Sequence, residues 1–103
     1  MGFFSDIDSI RKINTLLKTI EPKITVIQNE CGSLRPNVDK IQIEARTICV
    51  IMNEILEIAD SSGESVRTAT YFFFNEKIKL IEISKILAQF ISMCDELYIN
   101  SFK

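Results

Sequence analysis

The chain of 103 residues contains no histidine and no tryptophan. Without imidazole it has no Ser-His or Cys-His dyad and no side chain that titrates near neutral pH in its ordinary state. Zinc sites and di-metal carboxylate sites lose their usual nitrogen ligand for the same reason. The three glycines, Gly2, Gly32 and Gly63, are too scattered to build a loop that cradles phosphate. The three cysteines, Cys31, Cys49 and Cys94, are odd in number and form no CxxC pair. They fall on or beside hydrophobic positions. They therefore read as small, buried, poorly reactive thiols in a reducing, cytoplasmic compartment. These absences point away from an enzyme, and no cofactor or metal is expected.

Basic excess is also missing. Twelve Lys and Arg stand against fourteen Asp and Glu, a net charge of −2, which leaves nothing to neutralise a run of phosphates and argues against nucleic acid. The longest apolar run, Ile48 to Met52, is far short of the roughly 20 residues a membrane helix needs, so no membrane span is expected. The start, Met1 to Asp6, lacks the basic and apolar segments of a signal peptide. Asp6 stands where a myristoylation motif wants Ser or Thr.

What the chain does have is a hydrophobic repeat. Steps of seven from Ile10 meet Leu17, Ile24, Cys31, Val38, Ala45, Met52 and Ala59; steps from Ile13 meet Ile20, Ile27, Leu34, Ile41, Ile48 and Ile55. This 3-4 spacing is how a helix buries one stripe against other helices. Ser5 followed by Asp8 resembles a capping box. Pro22 interrupts the first helix and predicts either a kink or a break. Gly32, in a left-handed C-terminal position, and Ser33, as a cap, predict an end and a restart, with Pro36 in the first turn of the next helix. The persistence of the heptad phase across that break leaves a second possibility, one long kinked helix from Ser5 to Asp60.

Ser61-Ser62-Gly63 is the clearest turn. A third helix is predicted from Ser65 to Asn100, with a seam through Val66, Ala69, Phe73, Leu80, Ile83, Leu87, Phe90, Cys94 and Leu97. Glu76 falls on that seam, as a buried carboxylate fixing register or as a group that reaches water. The expected fold is all-α with no sheet: an elongated up-down-up three-helix bundle (helices about 5–31, 34–61 and 65–100), or alternatively a long kinked helical hairpin. The expected core is Ile13, Ile20, Ile27, Ile41, Ile48, Ile55, Leu80, Ile83, Leu87 and Phe90.

As a helix, residues 71–81 are apolar on two sides, and one bundle hides only about one broad stripe per helix. Tyr71, Phe72, Phe74, Ile78 and Ile81, with Cys49 and Val50 of the apolar stretch in helix 2, are therefore the expected interface. Completion by oligomerisation, most simply as a homodimer, follows. Phe3 and Phe4 either tuck under the bundle end or anchor to a membrane or a partner. The leading function is a non-enzymatic protein–protein interaction module, acting as a homo-oligomer or a small adaptor subunit. Residues 37–63 carry five acidic groups and two basic ones. This supports a second reading, a small acidic inhibitor, of immunity or anti-defence type, that blocks a partner enzyme.

Overall fold

The computed structural model describes residues 3–103, with side chains from residue 5 onward, so the expectation for Phe3 and Phe4 lies outside the described side chains. Helices dominate: α1 (Phe3–Cys31), α2 (Val38–Asp60), α3 (Glu64–Thr68) and α4 (Leu80–Asn100). The expectation of no sheet is overturned between α3 and α4, where β1 (Thr70–Phe73) and β2 (Glu76–Lys79) form an antiparallel hairpin. The body measures 52 × 23 × 17 Å. The long helices α1 and α4 both pack on α2 and approach each other much less closely.

In α1 the apolar positions Ile13, Leu17, Ile20, Ile24 and Ile27 are all buried. The helix runs through Pro22 without ending. Pro22 is exposed, on the side of α1 away from the buried Ile20 and Ile24, where the missing hydrogen bond is least costly. The chain then breaks. Gly32 does not take a left-handed conformation, and α2 starts at Val38, four residues later than expected. Its cap is Asn37 rather than Ser33: Asn37 Oδ1 accepts from the Lys40 N–H at 3.1 Å. Glu30 of α1 accepts from the Asn37 N–H, also at 3.1 Å, and ties the two helix ends together. The heptad phase crosses this loop without being used there. Leu34 is fully exposed and Cys31 is exposed too, which corrects the expectation of a buried Cys31; Cys94 is buried and Cys49 is half-buried.

On α2 the buried positions are Ile41, Ala45, Ile48, Met52, Ile55 and Ala59, a continuous 3-4 series. Its C-terminal carbonyls are closed by a small polar corner. Arg67 donates to the carbonyls of Ala59 at 3.4 Å and Ser62 at 2.7 Å, and the buried Ser62 hydroxyl donates to the Ile58 carbonyl at 2.5 Å and lies 2.9 Å from Ser9 Oγ of α1. Asp6 sits in the same corner. Its two carboxylate oxygens accept from the Gly63 N–H at 3.2 Å and from the Ser65 hydroxyl at 2.6 Å. Asp6 thus ties the start of α3, whose cap position Gly63 has no side chain to offer, to α1.

These hydrogen bonds, from Ser65 first and Gly63 second, hold the Asp6 carboxyl below its ordinary pKa of 3.8. A carboxyl depressed in the folded state contributes stability that is present above its unfolded pKa and lost as pH falls through the folded one. Asp6→Ala is therefore expected to lower the urea midpoint at neutral pH. The gap to the unsubstituted protein should close as pH drops below 3.8. Midpoints measured from pH 7 to pH 2 check this; a gap that stayed constant to the lowest pH would remove Asp6 from the corner.

The third predicted helix survives only in its second half. Val66 is buried in the short α3 and Leu80, Ile83, Leu87 and Cys94 in α4, but the 71–79 stretch between them is extended. Thr70-Tyr71-Phe72-Phe73 is a β-branched and aromatic run that favours a pleated surface. Its burial alternates, with Tyr71 and Phe73 inward and Thr70 and Phe72 outward. Phe74 and Asn75 make the two-residue turn, both left-handed with φ of 49° and 65°, which is the backbone that matches strand twist in a tight hairpin. Glu76 opens β2 and is exposed, so it occupies no helix seam.

Candidate interaction surface

The outer face of the hairpin and the solvent side of α4 both expose large apolar side chains. The hairpin packs against α1 and α4 through its inner face. Tyr71 is 1% exposed and its hydroxyl donates to the Val66 carbonyl at 2.7 Å. Burial pushes its pKa up, so the hydroxyl stays protonated and keeps that donor role. Tyr71 is a core residue, which corrects its assignment to an interface. Ile78 is opposite Tyr71 across the hairpin and half-buried.

Phe72 and Phe74 are outward, 51% and 43% exposed. Phe72 lies opposite Lys77, whose ammonium stands 5.6 Å from the ring centroid, close enough for a cation–π contact. Phe74 stacks edge-to-face on Phe73 at 4.9 Å. Its left-handed backbone is uncommon for a bulky side chain and costs on the order of 1–3 kcal/mol.

The other expected interface residues do not gather here. Ile81 is exposed on the first turn of α4, beside a cleft shared with Leu56 and Asp60 of α2. Cys49 lines a different cleft between α2 and α4, of about 350 Å³, with Met52, Asn53, Leu56, Ala88 and Ile91. Val50 is exposed on α2, a helix that the hairpin does not pack against. Residues 49–50 and 71–81 thus do not form the single expected surface: Phe72 and Phe74 are on the hairpin, Ile81 and Cys49 line neighbouring clefts that share Leu56 and Ser84, and Val50 is exposed on α2.

A further set emerges on α4. Ile86, Met93 and Leu97 are 46%, 67% and 37% exposed, and Phe90 is half-buried between them and the core. At about 100° per residue these four fall within an arc of about 60°, next to the arc that holds Ile83, Leu87 and Cys94. The spacing is visible in sequence, but there Phe90 and Leu97 belong to the predicted seam, and nothing sets Ile86 and Met93 apart from it. Burial alone separates the covered stripe from the open one.

Among the described residues, no group of three or more Cys, Asp or Glu side chains is placed to hold a metal ion, and no helix is long and apolar enough to cross a membrane. The chain matches no protein-family model, no curated protein and no solved structure.

Proposed function

We propose that the protein is a non-enzymatic interaction module whose helical body is completed by another protein, itself or a different one, seated on α4. The observation that carries this reading is the row Ile86, Phe90, Met93, Leu97, apolar at helical spacing and open to solvent. Contiguous exposed rows of this kind mark interaction sites more often than isolated exposed residues do. Free thiols at Cys31, Cys49 and Cys94 suit a reducing, cytoplasmic setting. Tagged protein, recovered from its native cell and read by mass spectrometry, is expected to bring down a partner that Met93→Asp loses. Met93 is exposed, so the substitution leaves the fold intact, which circular dichroism checks. Identical capture by both proteins would remove α4 from the interaction.

A second reading rests on a different face. Asp39, Glu54, Glu57 and Asp60 of α2 are all exposed. As an acidic inhibitor the protein would meet a basic enzyme site through them, and its binding would fall steeply with added salt. Capture that persists at high salt favours the α4 reading.

A further inference from the structure

We infer that the occupant of the α4 stripe is the α4 of a second copy of this chain, running antiparallel to the first. This rests on the interaction reading above and names its partner. A two-fold interface must be self-complementary, because each surface meets its own copy. The stripe satisfies that condition in its spacing. Ile86, Phe90, Met93 and Leu97 are separated by four, three and four residues, a pattern unchanged on reversal. A two-fold axis midway between Phe90 and Met93 sets Ile86 opposite Leu97 of the second copy, and Phe90 opposite Met93 of the second copy. The large ring therefore meets a flexible thioether, which fills irregular gaps and contacts aromatic edges well.

The charges beside the stripe agree with the same axis. Lys85 and Glu96 are both exposed, and neither makes an ion pair among the described residues. Eleven residues apart, they lie about 20° from each other on one flank of α4. In an antiparallel pair a flank meets the same flank of the other helix. Lys85 of each copy then lies within about one turn of Glu96 of the other, and the contact occurs twice. A parallel pair turns those flanks to opposite sides of the seam, where Lys85 and Glu96 do not meet. Glu82 and Asn100 end the apolar row at either side, so the seam is only about 16 Å long at 1.5 Å per residue. An interface of that length is below the size of a stable obligate dimer, and a weak, micromolar-to-millimolar equilibrium follows.

Sedimentation at low ionic strength tests this on the whole chain, from about 10 µM to about 0.5 mM. The mass is expected to rise from 11.8 kDa towards twice that value. Lys85→Glu and Glu96→Lys, each alone, should weaken association by about tenfold, since two attractive contacts become two repulsive ones. The double variant Lys85→Glu/Glu96→Lys should recover it. An equal mixture of the two single variants should associate better than either alone, because every cross-contact then pairs opposite charges. Both positions are exposed, and unchanged helical circular dichroism confirms folding. A wild-type chain that stays monomeric at the highest concentration overturns the inference; the interaction reading then stands or falls on the Met93→Asp capture. A dimer indifferent to all three charge variants overturns antiparallel α4 pairing and places self-association elsewhere.

Discussion

Replacing Ile48 with alanine is expected to destabilise the protein by about 2–5 kcal/mol, the range for removing a large aliphatic side chain from a packed interior. Ile48 is fully buried at the middle of α2, the helix against which both α1 and α4 pack. The lost methyl and methylene groups give up their transfer free energy, and the vacated space adds to the loss because the neighbours are held on long helices that cannot close over it. Val50→Ala, two residues on and 66% exposed, is the internal comparison and should stay within about 0.5 kcal/mol of the unsubstituted protein. Urea unfolding of the three proteins gives the comparison directly. Equal midpoints for Ile48→Ala and Val50→Ala would put the buried face of α2 on the wrong side.

Tyr71→Ala should cost about 3–5 kcal/mol, as truncation of a buried aromatic does. The ring is buried on the inner face of β1, the strand that packs on α1, and its hydroxyl satisfies the Val66 carbonyl in the middle of α3. Tyr71→Phe isolates that second role. It keeps the ring and leaves a buried acceptor without its donor, at about 1 kcal/mol or somewhat more. The neighbouring Phe72 faces the other way on the same strand, so Phe72→Ala should cost much less. Near-equal losses at positions 71 and 72 would mean that the strand is not half-buried as described, and a helix through this segment would again become the better account.

The core of α1 and α2 was legible because fourteen of the fifteen heptad positions lie in helices and thirteen of those are buried or half-buried, and a helix buries the same residues whichever neighbour covers them. The loop at 32–37 shows the limit of that logic. Cys31 and Leu34 kept phase with the repeat, yet both are exposed, because phase continues through a turn at no energetic cost and carries no information there. The hairpin was hidden by a coincidence of periods. Val66, Ala69, Phe73 and Leu80 fit a helical seam, while Tyr71 and Phe73 equally fit a strand alternation, and with no glycine at the turn the usual hairpin signal was missing. Asn75 was the remaining clue, and Phe74 beside it is a residue that rarely takes a left-handed backbone. The two apolar sides read on residues 71–81 were therefore not two sides of one helix: Tyr71 and Phe73, which a helix would turn apart, share the inner face of β1, and Leu80 and Ile81 already belong to α4. The open stripe of α4 was unreadable for a simpler reason: Ile86 and Met93 differ from Ile83 and Leu87 only in what stands in front of them.

One junction has a mechanical meaning. Lys79 ends β2 and Leu80 begins α4 with no residue between them, and Lys79 itself is the cap position of the helix. The hairpin is consequently joined to the helix directly, with no loop between strand and helix. Torque applied at its tip, 74–75, has no slack linker in which to dissipate. It is delivered to the first turn of α4, where the buried Leu80 resists rotation against the core. Anything that displaces the aromatic tip must therefore either bend the chain at Lys79–Leu80 or move the first turn of α4 with it.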